Sequence, residues 1–260
     1  MKIPKGWHNV KLYQFKELRS LDKSQGYFTF QVDTLSVLLD IDSEDLEDKD
    51  IDEINEMFNG VKWALQEPRK TYKQELKIDE SVYVFKDFKK LSLYEFIDLE
   101  YFLSNDYITH ISHIASVFYR RIDKDKWNNV EFEPYLFSPF ERFELFDEVK
   151  VTDVYGMLTD YLKYRENFMQ KYENLFNESD DDDDDTDDLK DFDSVDEYKA
   201  NKEAVEQGKK AKKWGWEQLL YDLCEGDITK TDEVGELPLI FVFNMLSMRK
   251  EMGYLETPKG

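Results

Sequence analysis

The sequence predicts a mainly α fold: a multi-helical N-terminal domain with one small β-hairpin, then an Asp-rich linker and a short helical C-terminal module. Apolar residues recur at spacings of three and four along most of the chain, which is typical of helices. The spacing changes to two only near residues 72–85, and a strongly acidic run interrupts the pattern after residue 177. We therefore expect a helical domain over 1–176, a disordered linker over 177–197 and a helical module over 198–260.

Three helices are predicted before the hairpin, over residues 12–21, 28–39 and 51–65. Pro68 ends the third helix, because proline cannot continue a helical hydrogen-bond pattern. An acidic turn over residues 40–48 separates the second helix from the third. The apolar faces consist of Leu12, Phe15, Leu18 and Leu21; of Val32, Leu35, Leu38 and Leu39; and of Ile51, Ile54, Phe58, Val61 and Leu65.

Residues 72–85 are predicted to form the β-hairpin. Polar and apolar side chains alternate over residues 72–78, and Val82 and Val84 resume the alternation after a polar turn. Two strands alone are only marginally stable. We therefore expect this hairpin to pack on the helical core.

Four further helices are predicted before the acidic run. Ser92 with Glu95 forms a capping box, which marks a helix start, and another helix is expected from Tyr107. Pro134 and Pro139 bracket a loop, because proline favours turns and helix starts. The apolar faces of the last two helices consist of Phe140, Phe143, Phe146 and Val149; and of Val154, Met157, Leu158, Tyr161, Leu162, Phe168, Met169, Tyr172 and Leu175.

The composition changes abruptly after these helices. Eleven of the sixteen residues from Glu178 to Asp193 are acidic, so the run repels itself and is predicted to be disordered. A lysine-rich helical segment is expected over 198–213. An apolar helix containing Trp214 and Trp216 should follow, with Gly226 at its end. A last helix should begin after Pro238 and pack Ile240, Phe241, Phe243, Met245 and Leu246.

Charge and cysteine content exclude several classes of function. The formal net charge of −23 opposes binding to nucleic acid or anionic membranes, which uses Lys and Arg surfaces. The chain has one cysteine, Cys224, so it can form no internal disulfide, as expected in a reducing compartment. No apolar run suggests a signal peptide or a membrane span. We expect an acidic protein of the cytoplasm.

The residues with possible chemical roles make weak patterns. Asp106, His110 and His113 have helical spacing and could ligate a metal, but zinc sites normally use three or four firm ligands. The Asp run lacks the Gly and Glu of a calcium loop. No phosphate-binding loop is present, and Cys224 lies in an apolar helix pattern typical of a core residue. We predict no enzyme activity, no cofactor and no metal.

The acidic run and the lysine-rich segment leave three interpretations open. They could pair loosely with each other as a solubilising linker, because exposed ion pairs are weak and sensitive to salt. Each could instead bind a partner of opposite charge. The acidic run could also mimic DNA toward a basic host protein.

Four sequence stretches together resemble phage proteins that are assigned as tail assembly chaperones or virion-assembly proteins. They are KIPKGWHNVKLYQFKEL, FKKLSLYEFIDLEYFL, HISHIASVFYRRI and WGWEQLLYDLCEGDITKTDEVGELPLIFVFNMLSM. They cover roughly a third of the chain and contain packing and capping patterns rather than a chemical signature.

The resemblance implies a non-catalytic chaperone that keeps a helical tape-measure protein soluble while tail-tube subunits polymerise around it. The partners would be phage structural proteins, in the cytoplasm of the infected bacterium, and an oligomer is compatible with this role. The alternatives are a structural component retained in the virion, at the neck, tail or capsid interior, and an enzyme of unrecognised type. The aromatic residues expected to be structural or client-facing are Trp7, Phe15, Trp214, Trp216 and Phe243.

Overall fold

The computed structural model describes residues 2–104, 106–122, 132–135, 139–175 and 215–253. The fold is mainly α with a small antiparallel sheet, which confirms the predicted fold class. The predicted linker over 177–197 and the lysine-rich segment after it lie outside the described residues. No helix in the described ranges is both long enough and apolar enough to cross a membrane.

The chain divides into two compact units. The N-terminal unit comprises Met1–Phe88 and Asp98–Asn167, and the C-terminal unit comprises Lys89–Ile97 and Phe168–Gly260. The residues after the acidic run therefore share their unit with a segment from the middle of the chain. A short C-terminal piece has little apolar surface of its own to bury, and the added segment enlarges its core.

The N-terminal unit begins with four helices: α1 (Leu12–Ser20), α2 (Tyr27–Leu39), α3 (Glu44–Glu47) and α4 (Ile51–Val61). The first two predicted helices are confirmed to within one residue. The third is shorter than predicted, because the chain tightens into a 3₁₀ turn at Lys62–Leu65 before Pro68. The predicted acidic turn contains α3, and Asp40 ends α2 with a φ of 55° in the left-handed region.

The sheet has three strands in the order β1 (Glu75–Ile78), β2 (Ser81–Phe85) and β3 (Tyr119–Arg121). The hairpin β1–β2 confirms the sequence prediction, and Leu76 pairs with Tyr83. The third strand was not predicted. Its three residues directly follow α6 and show no alternation of their own, and the strand is defined by its pairing with β2, from Tyr83 with Arg121 to Phe85 with Tyr119.

Four helices complete the middle of the chain: α5 (Leu93–Ser104), α6 (Ile111–Phe118), α7 (Pro139–Asp147) and α8 (Val151–Lys171). The capping box is confirmed: the Ser92 N–H donates to the Glu95 carboxylate at 2.8 Å, and the Glu95 N–H donates to Ser92 Oγ at 3.3 Å. The prediction of a helix from Tyr107 was wrong at its start. Asp106 accepts the Ile108 N–H at 3.1 Å, which holds a turn before α6.

The aromatic side chains of the N-terminal unit form much of its core. Phe118 and Tyr161 are buried, and the ring of Phe88 lies 5.0 Å and 5.6 Å from theirs. Tyr83 of β2 packs edge-on against Phe146 of α7 at 5.5 Å. The contact of Tyr83 with Phe146 joins the sheet to a helix, as expected for a short hairpin that is only marginally stable alone.

The C-terminal unit contains α9 (Gly215–Leu223), α10 (Thr231–Gly235) and α11 (Leu239–Glu251). The chain turns after α9 at Gly226, with a φ of 77°, and α11 follows Pro238 as predicted. Residues 91–93 pair with residues 237–239 through two backbone hydrogen bonds of 3.0 Å and 2.8 Å. These bonds place the start of α5 beside the start of α11.

We predict that Gly156→Ala destabilises the chain. Gly156 lies inside α8, and a Cβ there would lie 2.5 Å from the backbone nitrogen of Thr71, which cannot move aside like a flexible side chain. Urea unfolding should show a free energy of unfolding lower by about 1–3 kcal/mol.

The matched control is Gly60→Ala, also within a helix, where an added Cβ meets nothing within 4 Å. Alanine favours helix over glycine, so this variant should be as stable as the parent or more stable by up to about 1 kcal/mol. Equal effects of the two substitutions would show that the close approach of Gly156 to Thr71 does not constrain the fold.

Candidate functional site

Phe243 is the centre of an aromatic cluster in the C-terminal unit. Its ring lies 5.8 Å from Phe96, 4.9 Å from Phe168 and 5.3 Å from Tyr172, and 6.2 Å from that of Trp216. Phe243 is fully buried. The cluster therefore fixes the rotation of α11 about its own axis.

Four exposed apolar side chains, which we call the outer row, lie on the opposite face of α11 and at Met252, the residue that caps its C-terminal end. The exposed fractions are 51% for Phe241, 39% for Met245, 39% for Met248 and 61% for Met252. Their spacing of four, three and four residues places them along one side of a helix. Large apolar side chains arranged in this way are a common feature of protein interaction surfaces.

The sequence prediction about the last helix was therefore wrong in part. It placed Phe241 and Met245 in the packed face, whereas both are exposed. The buried face of α11 is formed by Leu239, Val242, Phe243 and Leu246. The sequence does contain an indication of this outcome, because apolar residues lie on two opposite sides of α11. A helix packed against one neighbour can bury only one of these sides.

The outer row can bind apolar side chains, but it carries no group that could donate or accept a proton. Methionine is flexible and polarizable, so it adapts to partners of different shape. Arg249 is exposed beside Met248 and makes no ion pair within the described residues. This guanidinium could pair with a carboxylate of a bound partner.

The aromatic residues singled out from the sequence lie mainly inside the protein. Trp7 and Phe15 are buried in the N-terminal unit with ring centroids 5.5 Å apart. Phe243 is buried in the C-terminal unit, and Trp216 is half-buried against Phe96 at 4.9 Å. Trp214 lies outside the described residues. The structural role is the one that these positions support.

The candidate metal ligands Asp106, His110 and His113 make other contacts. His110 Nδ1 lies 3.0 Å from the Asp106 carbonyl oxygen, while the Asp106 carboxylate accepts the N–H of Ile108. The ring of His113 stacks on Phe143, with centroids 4.0 Å apart. Within the described ranges, no three His, Cys, Asp or Glu side chains form a group that could hold a metal ion. The candidate calcium ligands in the Asp run lie outside those ranges.

Cys224 is buried, and burial raises the pKa of its thiol. A raised pKa reduces the fraction of thiolate, which is the reactive form of cysteine. Cys224 belongs to the C-terminal unit, whereas His110 and His113 belong to the N-terminal unit. The position of Cys224 supports a packing role.

A polar groove of about 370 Å³ lies beside β1 in the N-terminal unit. Its lining includes Lys73, Glu75, Lys77 and Asp153, and Lys73 pairs with Asp153 at 2.8 Å. Four acidic and three basic side chains line it, so their charges nearly cancel and little excess of one sign is available for a ligand. The arrangement is typical of a surface ion-pair network.

We predict that His113 makes stability depend on pH. The pKa of His113 is lowered from 6.5 to about 4, mainly by burial of the ring and to a smaller extent by nearby His110 and Lys16, while Asp147 opposes them. As pH falls from about 6.5 to 4, the unfolded chain takes up a proton here that the folded chain does not. The folded state should therefore lose stability over this interval.

Urea unfolding of the parent and of His113→Gln at several pH values would test this dependence. Acidic groups titrate in both proteins, so the comparison isolates the histidine. The stability of the parent relative to the variant should decrease from pH 7 to pH 4. A difference that is independent of pH would contradict the prediction.

Comparisons with protein families, curated proteins and solved structures find no match to this chain. A functional assignment therefore rests on the exposed face of α11 and on the resemblance of the four sequence stretches.

Proposed function

We propose that the chain is a non-catalytic assembly chaperone that binds an apolar helix of a phage tape-measure protein during tail formation. The observation that carries this proposal is the outer row of α11. The resemblance of the sequence stretches to tail assembly chaperones provides the identity of the client.

The geometry of the outer row supports a helical client. Phe241, Met245, Met248 and Met252 follow one side of α11 over three helical turns. A client helix with apolar residues at the same spacing can align with this row and cover it. Fully burying one such side chain contributes roughly 1.5–3 kcal/mol.

The charge of the chain supports a chaperone rather than a self-assembling subunit. A net charge of −23 makes two copies repel each other and keeps a complex with an apolar client in solution. Methionine side chains allow successive segments of a long client to bind the same surface. These properties together favour reversible binding of a helical client.

We predict that replacing Met245 and Met248 together by glutamine abolishes chaperone action. Glutamine has a similar length and favours helix, so α11 should remain folded while its outer face becomes polar. In co-expression with the tape-measure protein of the phage that encodes this chain, the soluble fraction of the client should fall to its level without chaperone. Affinity should decrease at least about tenfold, as expected from two apolar contacts.

The matched control replaces Tyr221 and Ile228 by glutamine. Both are exposed apolar residues of the C-terminal unit outside the outer row. This variant should keep the client soluble. The proposal would be wrong if the parent does not increase client solubility, or if both double variants act alike.

Quantitative mass spectrometry of purified particles distinguishes the chaperone from a structural virion protein. A chaperone is released before the particle matures, so it should be absent. Stoichiometric presence would instead assign the chain to the neck, tail or capsid interior.

A further inference from the structure

We infer that a basic, apolar groove of the N-terminal unit binds an acidic amphipathic segment of a partner protein. This inference does not rest on the proposed function, because the groove uses no residue of the outer row. It concerns α1, α2 and the 3₁₀ turn after α4.

The groove has a volume of about 410 Å³ and mainly apolar walls. Leu18, Tyr27, Phe30 and Leu65 contribute these walls. Tyr27 is 66% exposed and Leu65 51% exposed, so the rim projects into solvent. A volume of this size accommodates one or two apolar side chains.

The charges of the lining have one sign. Arg19 and Lys23 line the groove, and no acidic side chain does so among the described residues. This excess is unusual in a chain with a net charge of −23. A carboxylate beside the apolar anchor of a partner would therefore be attracted to this groove.

Contacts within the N-terminal unit position the guanidinium of Arg19 before any carboxylate binds. The guanidinium lies over the rings of Trp7 and Phe15, at 5.8 Å and 5.2 Å. One terminal nitrogen donates to the carbonyl oxygen of Gln66 at 3.2 Å. A guanidinium has five N–H donors, so others remain for a ligand at little further entropic cost.

Thr34 also lines the groove, but it is only 2% exposed, and its hydroxyl oxygen is closed off from solvent. A ligand in the groove would therefore not reach this hydroxyl. The charges of Arg19 and Lys23 are what indicate the kind of partner.

The open rim favours a protein segment over a small molecule. A small ligand normally has 70–90% of its surface buried in its site, whereas Tyr27 and Leu65 would leave such a ligand largely uncovered. A partner helix can place one apolar side chain in the groove and cover the rim with its neighbours. Its acidic residues would then face Arg19 and Lys23.

The test is fluorescence anisotropy with a labelled synthetic amphipathic peptide whose Leu and Phe lie one helical turn apart and are flanked by Glu. The full chain carrying Met245→Gln and Met248→Gln is used throughout, so that binding at the outer row does not contribute. Saturable binding is expected at about 0.15 M salt, where the net charge of the chain is screened beyond roughly 8 Å. A peptide with Gln at the Glu positions should bind about fivefold more weakly, because it lacks the carboxylates that pair with Arg19 and Lys23.

Two groove variants and two matched controls locate the binding. Leu65→Gln and Lys23→Glu should each weaken binding about fivefold or more at about 0.15 M salt, and the effect of Lys23→Glu should decrease as salt is raised. Ile51→Gln and Lys70→Glu change exposed residues of the same unit outside the groove and should bind like the parent. Circular dichroism would verify that all four variants remain folded.

Several results would overturn the inference. One is that the peptide shows no saturable binding, and another is that the groove variants bind it as tightly as the parent does. A third is that the control variants lose as much affinity as the groove variants. Binding of decanoate in place of the peptide, lost in Leu65→Gln, would identify a small amphiphile as the occupant. Self-association of the parent that Leu65→Gln abolishes would identify a second copy of this chain.

Discussion

Burial of Phe243 among four aromatic rings is the contact on which the surface of the C-terminal unit depends. Successive residues of a helix are about 100° apart around its axis. Once Phe243 faces inward, the residues of the outer row lie about 140–180° away from it and face solvent. The buried cluster and the exposed row are thus two consequences of one rotation of α11.

The two candidate binding surfaces differ in chemistry. The outer row is apolar and rich in methionine, which suits helices of varied sequence. The groove of the N-terminal unit combines apolar walls with Arg19 and Lys23, so it selects partners by charge as well. An acidic protein with one permissive and one selective surface could bind two different partners.

Local sequence signals identified the elements that depend on local interactions. The capping box of Ser92 and Glu95 joins residues three apart, and the alternation over 72–85 follows from the two-residue period of strands. Local sequence signals failed for elements whose formation depends on contacts with other parts of the chain or on a competing turn. β3 exists because Tyr83 pairs with Arg121, and α6 starts late because the Asp106 turn competes with helix. Of the aromatic residues expected to be structural or client-facing, Trp7, Phe15 and Phe243 are buried, because large rings favour burial wherever the fold offers space.

The sequence by itself determined the mainly α character, the hairpin, the start of the last helix and the acidic charge, since period, capping and composition act locally or sum over the chain. Only the tertiary structure decided which side of α11 is covered, because both sides are apolar and the aromatic cluster selects one. It likewise decided that Arg19, Lys23 and Thr34 share a groove with Leu65, which is distant in sequence. Periodicity identifies a face of a helix, but burial of that face depends on neighbours supplied by other parts of the chain.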